Sequence, residues 1–494
     1  MGGSKHVLWT NRYATFSVLL SCLIIIIDGY DIGVISGAQL FVSDDLHLSD
    51  IKLEVVIGAI NLFAIPGSAL GGVTSNWLGR RRTLMLSSAL FTIASIVMSV
   101  ALSFAVLLLG RFLAGAAAGL ALVTAPIYAS EIASPEVRGA LASLTEIFMG
   151  IGILFGYISN NVLAPLPRSY NWRVMLGLSA LPALIIFVLL IFIPETPRWL
   201  VMRGRQGEAR KVLLMTSNGD VEVAEQRLAE IECAAKVEES SVRWGELLSR
   251  PSPCVLRMLF AAIGVNFFQQ ASGIQAVTLY APKIFVRAGM KKKSQALAAT
   301  SGIGVTKVVF IFVAILLADK CGRRPLLLTS IIGMGGSLLV LSGSLWTMNT
   351  HPGPVVKWVA IVSAWVDEAF YGVGIGPIAW VYASEIFPLR LRGPGMSVAV
   401  MVNRMVGTLV SMTFLSLNKA ITIQGSFLMY ALICALGGVF CWFALPETKG
   451  RTLEEVQVLF GGDPLPKNVE ISAKVGEVSG TDLEMQRSME NIEL

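Results

Sequence analysis

Blocks of about 20 mostly apolar residues recur along the whole chain, set apart by short stretches rich in charge, glycine and proline. A helix rising ~1.5 Å per residue needs about that length to cross a hydrocarbon core ~30 Å thick. The pattern predicts helical spans at 13–36, 52–76, 83–105, 108–129, 140–162 and 174–193, then at 257–281, 297–318, 326–347, 357–383, 395–416 and 426–445. That is twelve spans in two groups of six. A membrane β-barrel is excluded, because the blocks are continuously apolar and lack the alternation of barrel strands. From Pro194 to about residue 256 the charges are mixed, with Glu208-Ala209-Arg210-Lys211 and Glu225-Gln226-Arg227-Leu228 among apolar residues at helical spacing. This segment predicts a helical linker lying on the membrane surface. After Leu459 the chain turns polar and is expected to be disordered. The expected organisation is thus an N-terminal bundle (1–193), a linker (194–256), a C-terminal bundle (257–445) and a tail (446–494).

The two groups are copies of one unit. Tyr128-Ala129-Ser130-Glu131-Ile132, with Arg138-Gly139 behind it, returns as Tyr382-Ala383-Ser384-Glu385-Ile386 with Arg392-Gly393. Asn76-x-x-Gly79-Arg80-Arg81 is matched by Asp319-x-x-Gly322-Arg323-Arg324, and Pro194-Glu195-Thr196 by Pro446-Glu447-Thr448. A long period built from apolar spans points to a duplicated membrane bundle.

Composition agrees: 54% of the 494 residues are hydrophobic, 15% are charged, and the mean hydropathy is +0.69. The formal net charge of +6 resides in short clusters at span ends, where topology places basic residues, so no nucleic-acid partner is expected. The six cysteines, Cys22, Cys233, Cys254, Cys321, Cys434 and Cys441, form no metal-ligand spacing. Neither metal nor cofactor is expected, and the chain reads as a monomer. The first run has no small-residue cleavage site and reads as a retained helix. Arg80-Arg81-Arg82 and Arg323-Arg324 are separated by six spans and so share a side with both termini and the linker. The positive-inside rule makes that side cytoplasmic, although Lys283, Arg287 and Lys291-Lys292-Lys293 crowd the opposite one.

Ionisable groups inside spans are costly in hydrocarbon and therefore functional candidates. Asp28 and Asp31 in the first span, Arg111 in the fourth, Glu146 in the fifth and Lys307 in the eighth qualify. Burial favours a protonated Asp31 and a nearby Arg111 favours the carboxylate, so a moving bundle could switch the proton; a static ion pair is the alternative. Glu146 and Lys307 are either a bracing pair or substrate contacts. Gln269, Gln270, Gln275 and Asn403 offer amide donors and acceptors in apolar surroundings, and Trp380 adds a flat apolar face, a set suited to a neutral polyhydroxylated molecule. Gly374-x-Gly376-Pro377 marks a break in the tenth span. The doubled Glu131/Arg138 and Glu385/Arg392, with the Gly-Arg-Arg loops, predict ion-pair latches at the cytoplasmic ends. The chain contains no P-loop, nucleophile elbow or zinc-protease motif, which argues against an enzyme or an ATP-driven pump.

At these residues the chain resembles the sugar-porter family of the major facilitator superfamily, most of all the plant polyol/monosaccharide transporters. The resemblance runs from Asp28-Gly29-Tyr30-Asp31-Ile32-Gly33 to Pro446-Glu447-Thr448-Lys449-Gly450, through Pro194-Glu195-Thr196-Pro197-Arg198-Trp199-Leu200, Gln269-Gln270-Ala271-Ser272-Gly273-Ile274 and Ser384-Glu385-Ile386-Phe387-Pro388-Leu389-Arg390. It implies an all-α membrane protein of twelve transmembrane helices in two pseudo-symmetric six-helix bundles. Asp31 and Arg111 would be the proton-coupling pair. Glu146, Gln269, Gln270, Gln275, Lys307, Trp380 and Asn403 would line the substrate site, and Tyr280, Glu131, Arg138, Asp319, Arg323, Glu385 and Arg392 would gate it. The implied activity is proton-coupled symport of linear polyols, and some monosaccharides, across the cell membrane or the vacuolar membrane. A facilitative carrier and a non-transporting sugar sensor are the alternatives. The chain departs from the family pattern at Asn76, usually Asp; at Leu279-Tyr280, often two aromatics; and at Arg404, often Trp. Asp28 and Asp367-Glu368 fit no motif, and a solvated mouth is the expectation for the latter pair.

Overall fold

The computed structural model describes residues 11–132, 138–238, 252–387, 389–449 and 453–461. The side chains of Arg138, Asp319 and Arg392, three expected gating residues, lie outside the described residues, as does the tail beyond 461. Among the described residues twelve helices are long and apolar enough to cross a membrane. The first six are Arg12–Asp45, Asp50–Leu78, Arg80–Ser99, Phe104–Ile132, Leu144–Leu163 and Tyr170–Leu189. The second six are Pro253–Arg287, Lys293–Leu317, Arg323–Thr350, Pro354–Ile386, Gly395–Ile421 and Ile423–Ala444. Most helices outrun the apolar blocks, because the backbone ladder continues into polar residues that cap it. Asn11 Oδ1 accepts from the Ala14 N–H, and Ser49 and Ser252 cap the second and seventh spans in the same way.

Each half repeats one packing order: its first span lies on its fifth, its second on its fourth, and its third on its fourth and sixth. The two bundles meet along the second and eleventh spans and along the fifth and eighth. The segment between them forms short helices, Pro197–Met202, Gln206–Thr216 and Val221–Glu238. Both termini of the described chain and these short helices lie at one end of the bundle, here the termini end; the opposite end is the loop end.

Van der Waals packing and interhelical hydrogen bonds, rather than a contrast with lipid, drive helix association in a membrane, so small residues mark the closest contacts. On the fifth span a Cβ at Gly152 would stand 2.2 Å from the Ile26 carbonyl oxygen of the first. Overpacking costs typically about 1–3 kcal/mol, and backbone has little freedom to yield here. Gly152→Val should therefore lower the melting temperature of the detergent-extracted protein; an unchanged melting curve would contradict this packing.

The seventh span is broken between Ala271 and Ile274, and the tenth at Gly374, whose φ of −138° and ψ of −86° leave the helical region. A Cβ at Gly374 would meet the Leu326 carbonyl oxygen at 2.2 Å, so the close approach of the ninth span requires glycine there. These breaks bring the candidate amides of the seventh span against the backbone of the tenth.

Candidate functional site

Gln269 Nε2 donates to the carbonyls of Ile375 and Gly376 at 2.9 and 2.8 Å, just past the break in the tenth span. Asn403 Nδ2 donates to Gln269 Oε1, and Gln270 Nε2 donates to Asn403 Oδ1 at 3.1 Å, so three of the predicted amides form one chain. Gln270 Oε1 and Gln275 Oε1 are buried acceptors without a partner among the described residues. Both glutamines line a central cavity with Glu146, Lys307, Trp380, Asn403 and Arg404, and with Ile32, Met149 and Ile153 from the N-terminal half. Every residue expected in the substrate site thus converges on one space between the halves. It encloses about 30 Å³, room for one or two water molecules where one needs ~10–15 Å³. Trp380 Nε1 donates to Glu146 Oε1 at 2.9 Å and joins the halves at this level.

Asp31 and Arg111 form a buried ion pair. The guanidinium also donates through Nε to the Val56 carbonyl at 3.0 Å, which orients it and satisfies donors that burial would otherwise leave costly. Asp31, Arg111 and Val56 all belong to the N-terminal half.

Lys307 pairs with Glu368 at 3.5 Å and lies over the Tyr371 ring; the bracing partner considered for it, Glu146, instead takes the Trp380 indole. The expectation of a solvated mouth for Asp367-Glu368 is overturned, since both are 0% exposed. Glu368 Oε1 accepts from Thr278 Oγ1 at 2.5 Å, and Asp367 Oδ1 from Ser337 Oγ at 3.2 Å. A charged neighbour at eighth-span Lys307 and hydroxyls on adjacent helices make room for acids that composition alone would send to water.

At the loop end the two halves are joined by hydrogen bonds and ion pairs. Gln39 Nε2 donates to the Leu279 carbonyl, Tyr157 Oη to that of Thr278, and Asn161 Nδ2 to Ser301 Oγ. Asp44 pairs with Lys293 and Asp50 with Lys419, while buried Glu54 accepts from the backbone N–H and the hydroxyl of Ser416 at 2.7 and 2.6 Å. None of these acids stands out in the sequence, because an acid near a span end reads as an ordinary solvated terminus. Tyr280, expected as a gate, is fully buried and donates to the Ser411 carbonyl at 2.6 Å.

At the termini end each half carries the same network. Glu131 binds Arg80 at 2.9 Å and Thr196 at 2.6 Å; Glu385 binds Arg323 at 3.0 Å and Thr448 at 2.7 Å. Glu195 accepts the backbone N–H groups of Arg80 and Arg81, as Glu447 accepts those of Arg323 and Arg324. A carboxylate on the first N–H groups of a helix satisfies donors that lack partners and answers the positive end of its dipole. The Gly of each Gly-Arg-Arg makes this possible: Gly79 and Gly322 have φ of 102° and 92°, and a Cβ on either would press into the carboxylate. Burial pushes the Glu195 carboxyl up from its usual range, against the pull of these N–H groups. The doubled Pro-Glu-Thr carried the signal for Glu195 and Glu447, but nothing in spacing paired it with Gly-Arg-Arg.

With this geometry in hand, the comparisons with known proteins decide the family. The family model described as sugar (and other) transporter matches residues 17–460. The chain belongs to that family. It is 44% identical over 486 residues to putative polyol transporter 1 of Arabidopsis thaliana, covering 95% of each chain. Among solved structures it is similar to the partially occluded inward-open conformation of the xylose transporter XylE from E. coli, with a TM-score of 0.78 and 28% identity over 90% of this chain and 100% of that one. The proton:xylose symporter XylE bound to 6-bromo-6-deoxy-D-glucose gives a TM-score of 0.76 at 28% identity, covering 91% and 99%. The transporter is accordingly an integral, multi-pass membrane protein with the major facilitator fold, and not an enzyme.

Proposed function

We propose that the transporter carries linear polyols of the sorbitol or mannitol type, and some monosaccharides, together with protons, by alternating access between its two halves. The observation that carries this reading is a buried Asp31–Arg111 pair, adjoining cavity-lining Ile32, with a central cavity lined by amides from one half and Glu146 from the other. Gln270 Oε1 and Gln275 Oε1, without partners among the described residues, call for donors, which hydroxyls supply. The relatives named above include a putative polyol transporter and a proton:xylose symporter, which agrees with this chemistry. A six-carbon polyol exceeds the present 30 Å³, so binding requires the walls to part.

In this reading residues 1–193 and 257–445 rock against each other, joined through 194–256, with the termini end in the cytoplasm. The protein acts as a monomer in the cell membrane, the vacuolar membrane being the other possible site. Asp31 and Arg111 couple the proton, and Tyr280 belongs to the outer gate. The Glu131–Arg80 and Glu385–Arg323 networks, to which Arg138, Asp319 and Arg392 are assigned by their sequence, set the inner latches. Expression in a sugar-uptake-deficient cell, with labelled polyols and hexoses at two external pH values, tests the whole. Uptake of a hexitol that rises at acidic pH supports it; pH-independent uptake that stops at equal concentrations makes the protein a facilitative carrier; and uptake of none of them removes the reading.

The latches predict a separation of rate from affinity. Glu385→Gln weakens the bonds to Arg323 and Thr448, far from the cavity, and should slow turnover several-fold with substrate affinity nearly unchanged. Equal losses in both, in protein that reaches the membrane normally, would count against a latch.

A further inference from the structure

Asp28 stands on the first span three residues before Asp31 and is 2% exposed; among the described residues it makes no ion pair within 4 Å and its Oδ2 has no hydrogen-bond partner. Arg404, on the eleventh span, is 7% exposed, lines the central cavity, and donates from Nη1 to Asn61 Oδ1 at 3.3 Å, while its Nε finds no partner among the described residues. A guanidinium keeps its charge in a protein, and a buried charge needs a counter-charge. Of the other cations buried within the spans, Arg111 is taken by Asp31 and Lys307 by Glu368. Asp28 lies one helical turn from Ile32, which lines the same cavity as Arg404; the charged groups around it are Arg404 on the eleventh span, Asp31 on its own helix and Arg111 on the fourth span. Glu146, on the fifth span, takes the Trp380 indole.

The two aspartates differ in one mechanical respect. Asp31 and Arg111 both belong to the N-terminal half, so rocking the halves as rigid bodies leaves their separation unchanged. Asp28 and Arg404 lie on opposite halves, and the same motion must change theirs. Its direction follows from one face of the second span. Asp50 holds Lys419, Glu54 holds Ser416, Gly58 lies against Met412, and Asn61 holds Arg404, in order from the loop end inward. Opening the loop end unzips this row and draws Arg404 away from the N-terminal half; closing it returns the guanidinium towards Asp28.

We propose that Asp28 is a second proton-binding site, loaded when the loop end opens and emptied when Arg404 returns, so that two protons accompany each substrate molecule. The proposal rests on the symport reading above. No covalent step is involved: the proton joins a carboxylate oxygen of Asp28 from the loop-end side and leaves towards the termini end.

The test is the reversal potential of the current evoked by sorbitol under voltage clamp, measured as the sorbitol gradient is changed. A tenfold change in gradient shifts the potential by about 30 mV for two coupled charges and about 59 mV for one. The unmutated transporter should give the smaller slope and Asp28→Asn, which is nearly isosteric, the larger. Arg404→Gln, which removes the partner that expels the proton, should also give the larger slope and serves if Asp28→Asn fails to reach the membrane. A slope near 59 mV in the unmutated protein overturns the second site while leaving one-proton symport standing. A slope near 30 mV in both variants overturns it as well. Absence of any sorbitol-evoked current and of accumulation overturns both the second site and symport.

Discussion

Asp31→Asn is expected to abolish pH-dependent accumulation and the inward current that a polyol evokes at acidic external pH, while exchange of substrate across the membrane persists. The substitution removes the acid of a buried ion pair and leaves the Arg111 guanidinium in place. An uncompensated buried charge is costly, and Asp28, three residues before Asp31 on the same helix, is the acid placed to become the counter-charge of Arg111 and so to stay a carboxylate through the cycle. Both proton sites are thereby silenced, whereas Asp28→Asn silences one. The loss should be large. At a membrane potential of about 100 mV one coupled charge supplies about 2.3 kcal/mol, and since about 1.4 kcal/mol is a factor of ten, even a single proton can concentrate a neutral solute roughly fiftyfold. Accumulation by Asp31→Asn equal to that of the parent would move the coupling to another acid.

Gln270→Ala is expected to weaken polyol binding by about tenfold to a hundredfold, the equivalent of about 1–3 kcal/mol for one lost hydrogen-bonding group. The amide bonds Asn403 Oδ1 through Nε2 and presents an unpartnered Oε1 in a cavity that it helps to line. Truncation leaves one buried acceptor unpaired and removes another that a substrate hydroxyl would satisfy. Competition by unlabelled sorbitol against labelled uptake, normalised to the amount of protein at the membrane, measures the change. Unchanged competition in Gln270→Ala, Gln275→Ala and Asn403→Ala together would place the substrate elsewhere.

Much of this molecule could be read before any coordinate. Twelve apolar blocks match the twelve helices because crossing a bilayer imposes a length on every span and forbids unpaired backbone within it. The repeated Tyr-Ala-Ser-Glu-Ile and Gly-Arg-Arg motifs exposed the duplication, and two elements of each motif prove to touch: Arg80 meets Glu131, and Arg323 meets Glu385. Gln269, Gln270, Gln275, Lys307, Trp380, Asn403 and Glu146 all reach one cavity, since a polar group in an apolar span has few places to go.

Which face of each helix turns inward was decided by tertiary structure. Lipid is as apolar as a protein core, so membrane helices carry apolar residues all round and their periodicity does not say which side faces a neighbour. Hence the assignment of Lys307 to Glu368, the burial of Asp367, and the grip of Glu54 on Ser416 had no signature in the chain. Each depends on helices distant in sequence meeting at one depth. The sequence determined the spans, the two-fold repeat and the polar residues that had to converge; the packing of one half on the other decided which charges are partners, and which of those pairs can part when the halves move.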